Sequence, residues 1–407
     1  MTPDQLVTAD DWSDLAAQRG LPEIDHDRMR RYRLDRIREQ ARLAEVDLVV
    51  IVSPVSLRYA IDHRNYALFQ AHIPTTYLFV SPDGPTVLHG AYGTDAQVDE
   101  HREPRALAYF DGGTELEAHA ARLADDVVVH LGELGRSGGR VAVEYVNPSI
   151  TQALERRGVE VCDGVAVVEQ ARVIKSDDEL ACMRWAIEVA QHGIRAIEQA
   201  AVPGVSEVQL WALMNYANIA NNGDWHDGRM LASGPRTNPW LQEASPRRIE
   251  VGELVAFDTD MVGPFGYSAD ISRTILCGDG TPTARQREIY RTAVTEIEHN
   301  IGLLRPGLTL SEFQELAWPV PEEFHAQAYT CVFHGIGMCD EYPQVTARFR
   351  GPNRYDCVLE AGMVLCVESY IGAVGESDGV KLEQMVLITD TGTELLSAHP
   401  WDERFLD

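Results

Sequence analysis

The chain has 407 residues, 45% of them hydrophobic, enough to bury the cores of two or three domains. Lys and Arg number 35 against 63 Asp and Glu, a formal charge of −28 that repels phosphate backbones and anionic membranes and argues against nucleic-acid or membrane partners. The opening MTPDQLVTADDWSDLAAQRG lacks a basic segment followed by an apolar run, and no stretch reaches the roughly 18 uncharged apolar residues of a membrane helix. Seven scattered cysteines form no CxxC pair, so they read as reduced thiols in a cytoplasmic protein, most of them packing residues.

Residues 1–24 are acidic and weakly patterned and read as an N-terminal arm. From Asp25 helical and strand periodicities alternate. RMRRYRLDRIREQARLAEV is a helix, DLVVIVS a strand, and TTYLFVSPDGPTVLHG a hairpin turning at Asp83-Gly84. ELEAHAARLADDVVVHLGELG and PSITQALERRG are helices, each followed by a short strand, RVAVEYV or VEVCDG in the surrounding sequence. This predicts an α/β domain over 25–172. A second domain, 173–407, starts with a long helix opened by Ser176 and Glu179 in capping-box spacing. VPGVSEVQLWALM and, about a hundred residues on, RPGLTLSEFQELAW repeat one pattern: Pro-Gly, an N-cap (Ser206, Thr309), then Gln209 or Glu312 three residues later. A duplicated helix-plus-sheet unit with a site between its halves accounts for the repeat.

FDTDMVGPFGYSADISRT, residues 257–274, carries three aspartates in apolar surroundings. On a continuous strand Asp258 and Asp260 project from one face, and the return strand after GPFG brings Asp270 beside them. Carboxylates so close stay ionised in a sheet only beside a cation; the alternative is an exposed hairpin with its polar face in water. His334 follows an apolar run and precedes Gly335 and Gly337, where backbone can approach a ligand. Glu368 in GMVLCVESYIG and Glu383 in GVKLEQMVLIT lie in strands apolar enough to be buried. Five carboxylates and an imidazole suit two divalent ions sharing bridging acids, able to polarise a carboxylate or activate water.

The ordered set Asp, Asp, His, Glu, Glu, with RVIKSDDELACMRWA, GYSADISRT, HGIG and LEQMVLIT, resembles the pita-bread metallohydrolases, which include methionine aminopeptidase, Xaa-Pro aminopeptidase, prolidase and creatinase. The resemblance implies a creatinase-type N-terminal domain, a pita-bread catalytic domain with pseudo-twofold duplication, and a homodimer. It also exposes departures. Family peptidases have a histidine after a Ser-Gly loop and another in HGIGxxxHE; here the loop reads LASGPRTNPWLQEAS, with Trp240 near the expected histidine, and the second motif reads HGIGMCDEYP.

The same departures are similar to those of one branch of the family, the dimethylsulfoniopropionate lyases of the DddP type. That resemblance implies Asp258, Asp260, Asp270, His334, Glu368 and Glu383 as metal ligands, with two divalent ions, iron foremost and manganese, zinc or cobalt as alternatives. It implies Asp340 as catalytic base, Tyr329 as an active-site tyrosine, and Phe69 as an aromatic substrate contact where the lyases carry tryptophan. Trp240, Tyr329 and Phe69 would then face the cationic head of a small zwitterion. A hydrolase of a small amide or Xaa-Pro dipeptide, with Asp340 or Glu341 managing protons, is the rival activity; a scaffold that has lost catalysis is the rival of another class.

Overall fold

The computed structural model describes residues 17, 20–64, 67–90, 96–103, 106–107 and 110–406. Residues 1–16, 18 and 19 of the expected arm lie outside these. The chain divides into two compact units, Asp25–Arg172 and Val173–Asp407, the latter grouped with residues 1–24. Within that second unit the indole of Trp185 donates to Pro22 O at 3.1 Å.

In the Asp25–Arg172 unit a six-stranded sheet runs β4-β3-β2-β1-β5-β6, comprising β1 (Leu48–Ile51), β2 (Tyr77–Val80), β3 (Val87–His89), β4 (Glu100–Arg102), β5 (Arg140–Val143) and β6 (Glu160–Asp163). The expected hairpin is the antiparallel β2/β3 pair, with Tyr77 opposite His89. β1, β2 and β3 are buried at every position, as continuous apolar runs covered on both faces must be.

The Val173–Asp407 unit opens with a helix, Asp177–Ala200, capped by the reciprocal Ser176/Glu179 box. Capping boxes also open the helices Glu207–Ala220 and Leu310–Leu316, at Ser206/Gln209 and Thr309/Glu312. Short strands β7 (Trp225–His226), β8 (Leu231–Ser233), β9 (Leu254–Phe257), β10 (Met261–Val262), β11 (Ser268–Ala269) and β12 (Arg273–Leu276) form two three-stranded sheets, β12-β9-β8 and β11-β10-β7. A five-stranded sheet, β14-β13-β15-β16-β17, is built from β13 (Phe333–Ile336), β14 (Asp340–Val345), β15 (Val364–Gly372), β16 (Gly379–Ile388) and β17 (Thr393–Leu395).

β15 and β16 are buried at every residue, so both faces have tasks. One face packs Leu365, Val367, Ile371, Val380, Leu382 and Val386 into a core with Ile289, Ala293 and Ile297 of the helix Ala284–Leu303. Period-two alternation sends Cys366, Glu368, Tyr370, Lys381, Glu383 and Met385 to the other face.

Candidate metal centre

The 257–274 hairpin is not the continuous pair of strands that its alternation suggests. Both arms break opposite each other: β9 stops at Phe257 and β10 starts at Met261, while β11 stops at Ala269 and β12 starts at Arg273. The Thr259 hydroxyl pins the breaks together, donating to Ala269 O at 2.7 Å and accepting from Ile271 N at 2.9 Å. Asp260 sits at φ 34°, a left-handed conformation uncommon for a non-glycine residue. A kink therefore, rather than a shared strand face, gathers Asp258, Asp260 and Asp270, each of which offers an oxygen within 4.8 Å of the others'.

The five-stranded sheet supplies the remaining groups through register. Glu368 on β15 pairs directly with Glu383 on β16, and His334 on β13 pairs with Cys366 on β15. His334 Nε2 lies 3.3 Å from Glu368 Oε1, 3.7 Å from Asp270 Oδ2 and 3.9 Å from Glu383 Oε1. Its Nδ1 is 3.0 Å from Gly335 O, which assigns the proton to Nδ1 and leaves Nε2 to face the acids.

The glycines after His334 are required by close approaches within the protein. A bulge falls between His334 and Gly335. A Cβ on Gly335 would come within 2.3 Å of Tyr342 O, and one on Gly337 within 2.6 Å of Glu341 Oε1. Glu341 is itself committed, paired through a buried 3.0 Å contact with Lys175 Nζ and accepting from Met338 N. That pair anchors the turn carrying Asp340, whose carboxylate is 64% exposed and 3.7 Å from His334 Nδ1.

Electrostatics pull the acids apart. Burial, the largest single influence, would raise Asp258, but the Lys381 ammonium together with hydrogen bonding from Asp270, Ser272 and Glu383 holds the carboxyl down at about 2. Burial, then the Asp258 and Asp340 charges, push Asp260 up to about 8. Asp270 and Glu383 are raised well above the carboxylate range by burial and by each other's or Glu368's charge. Burial opposes an imidazolium at His334, yet Glu368 and Asp340 drive it up to about 10. Acids this close cannot all ionise beside one ammonium.

A metal fits this donor set on a geometric test. Among the described residues, Asp258 Oδ1, Asp270 Oδ1 and Glu383 Oε1 are buried without a hydrogen-bond partner. Buried carboxylate oxygens are normally satisfied, so these are poised for another electrophile. The ligand atoms form two clusters sharing Asp270: Asp258, Asp260 and Asp270, and Asp270, His334, Cys366 and Glu383. A carboxylate shared between two clusters suits a pair of divalent ions.

Cys366, Lys381 and Ser272 are site residues missed by the sequence reasoning. Cys366 is a buried core thiol whose sulfur falls within the second cluster. Lys381 and Glu383 are two apart on one strand, the spacing that could have revealed the lysine. Ser272 donates to Glu383 Oε2 at 2.8 Å. Arg273 beside it donates to Glu383 O at 2.7 Å and so ties β12 to β16.

Of the expected aromatic contacts, Trp240 and Tyr329 lie at the centre and Phe69 belongs to the other unit, where it packs edge-on to His72 and Phe110. Trp240 is 7% exposed and stacks on Tyr370 with centroids 6.2 Å apart. Its loop is fixed by the Tyr370 hydroxyl, which donates to Thr237 O at 2.8 Å, and by Asn238 Nδ2, which donates to Ala373 O at 2.8 Å. Lys381 Nζ is already over both rings, 5.8 Å from the Trp240 centroid and 5.1 Å from that of Tyr329.

Residues 181–390 match the model of metallopeptidase family M24. The chain is 38% identical to a dimethylsulfoniopropionate lyase DddP of Roseovarius nubinhibens over 95% of its own length and 89% of the relative's. It is 34% identical to a protein of the same name from Roseobacter denitrificans, covering 98% and 91%. Among solved structures, the prolidase from Pyrococcus horikoshii OT3 superposes with a TM-score of 0.70 at 21% identity, over 91% of this chain and 99% of that one, a likeness of fold. With the family model covering more than half of the chain and these relatives nearly all of it, the protein belongs to metallopeptidase family M24.

Proposed function

We propose that the protein is a dimethylsulfoniopropionate lyase, releasing dimethyl sulfide and acrylate from that substrate or a closely related small zwitterion. The observation that carries this reading is Asp340, an exposed carboxylate 3.7 Å from His334 Nδ1, beside a centre in which Asp258, Asp270, Glu368 and Glu383 are buried. Two relatives that bear the lyase name align over nearly the whole chain.

Asp258, Asp260, Asp270, His334, Glu368 and Glu383 would hold two divalent ions, with iron as the proposed metal. The ions would supply Lewis acidity to the substrate carboxylate, which acidifies the adjacent carbon. Asp340 then takes the α-proton as general base. The C–H electron pair becomes the carbon–carbon double bond as the Cβ–S pair leaves with sulfur. Neutral dimethyl sulfide and the acrylate anion result, with the proton on Asp340. Tyr329 and Trp240 border the site on its aromatic side, and Phe69 is proposed as a further substrate contact. We further propose a cytoplasmic homodimer.

Hydrolysis of an Xaa-Pro dipeptide draws less support, because Glu341, one of its two proton carriers, is tied up with Lys175. The test is paired: dimethyl sulfide and acrylate are quantified together for the iron-loaded protein and for Asp340→Asn of equal metal content. Equimolar products from the wild type and a loss of about a hundredfold or more in the variant support the proposal. Unchanged turnover in the variant removes Asp340 from the reaction.

A further inference from the structure

Lys381 is an ammonium with no exposure to solvent, set among the acids assigned above to the metals. Its surroundings account for all three of its N–H donors. They go to Asp258 Oδ2 at 3.1 Å, to Ser272 Oγ at 2.6 Å and to Glu368 Oε2. Ser272 in turn donates to Glu383 Oε2, which also lies 3.5 Å from the ammonium.

This network takes one oxygen of Asp258, Glu368 and Glu383 and leaves its mate. Asp258 gives Oδ2 to Lys381 and keeps Oδ1 unpartnered; Glu383 gives Oε2 to Ser272 and keeps Oε1 unpartnered. Glu368 gives Oε2 to Lys381 and turns Oε1 toward His334 Nε2. The unpartnered oxygens of Asp258 and Glu383 belong to residues of the two candidate ligand clusters. The charges agree as well: with all five acids ionised, one ammonium leaves four negative charges, which two divalent ions cancel.

We infer that Lys381 is the resident cation of the site, a positioning residue that sorts carboxylate oxygens into those held by the protein and those offered to metal, and that holds the acids together when metal is absent. The inference rests on the metal reading above. It predicts an asymmetry that a merely structural lysine would not produce, because metal ions can take over the neutralising task.

The experiment measures thermal midpoints of full-length wild type, Lys381→Met and Ser272→Ala, each stripped by chelator and each reloaded with Mn(II), with bound manganese counted by mass spectrometry. In Lys381→Met the stripped protein should lose on the order of 10 °C, as breaking a buried ion pair does, and the loaded protein clearly less, so the gap between the two states widens. Ser272→Ala should widen the gap by about a few degrees and keeps the test readable if the methionine variant does not fold. A methionine variant that folds only with Mn(II) present is the same result in stronger form. Equal losses in both states, or an unchanged stripped midpoint, overturn the role of Lys381. Wild type that binds no Mn(II) and shows no gap overturns the metal reading itself, and this inference with it.

Discussion

Replacing Glu296 by glutamine should stabilise the protein, and by much more at pH 8 than at pH 5. Glu296 lies on the helix Ala284–Leu303, behind the sheet face that carries Glu368 and Glu383, and accepts from the Ser369 hydroxyl at 2.6 Å. It is buried beside a small cavity lined also by Tyr329, Cys331 and Phe349. Burial pushes its carboxyl from 4.5 up to about 8, with Ser369 opposing the rise and the Glu368 charge adding to it. The folded form thus keeps its proton where the unfolded chain has lost it. Below pH 4.5 both states are protonated and the residue costs nothing through ionisation; as pH rises toward 8 the unfolded state gains the advantage, and above 8 the cost is constant. At 1.36 kcal/mol per pH unit the accumulated cost is on the order of 4 kcal/mol at pH 8 and under about 1 kcal/mol at pH 5. Glutamine fills the same volume, can hydrogen-bond Ser369 and has no such dependence. Thermal midpoints of the metal-loaded wild type and Glu296→Gln, measured at both pH values, should differ by roughly 10 °C at pH 8 and by about 2 °C at pH 5. A difference that is the same at both pH values would refute the reasoning, because it would mean that the proton at Glu296 is not linked to folding.

Other perturbations separate the parts of the site. Asp340→Asn should lower turnover by about 10²- to 10⁴-fold while bound metal, counted by mass spectrometry, stays at the wild-type level, since the side chain is exposed and outside both ligand clusters. Lys175→Met leaves Glu341 buried without its ion-pair partner and should cost about 3–5 kcal/mol in denaturant unfolding, with a fall in turnover because the pair anchors the turn bearing Asp340. Gly335→Ala should lower both stability and metal content, because its Cβ would collide with Tyr342 O in the bulge that sets His334. Removing metal by chelation should lower the thermal midpoint of the wild type, and restoring it should return both midpoint and activity.

How far the sequence led depended on whether a residue's chemistry clashed with its surroundings. Asp258, Asp270, Glu368 and Glu383 stood out because ionisable groups in apolar runs demand compensation, and the structure gathers them with His334. The capping boxes at Ser176, Ser206 and Thr309 were legible because they are local and repeat one spacing. The break at Asp258–Asp260 was not, since it depends on Thr259 bonding across the hairpin. HGIG was legible as a motif, but the crowding at Gly335 was not, because it comes from Tyr342 on the next strand. Glu296 escaped notice because a glutamate on an amphipathic helix reads as solvent-facing until the sheet behind it is in place. Cys366 and Lys381 were within reach, each two residues from Glu368 or Glu383 on one strand, but only the register of neighbouring strands shows that they sit beside the other acids.

The first measurement to make is headspace dimethyl sulfide from purified, iron-loaded protein given dimethylsulfoniopropionate, beside a chelator-treated sample and a parallel assay with an Xaa-Pro dipeptide. Sulfide that accumulates with the loaded protein and stops on chelation, with the dipeptide left intact, is the predicted result. A protein shown to hold two metal ions that yields no sulfide and cleaves the dipeptide would contradict the lyase assignment and return the site to peptide hydrolysis.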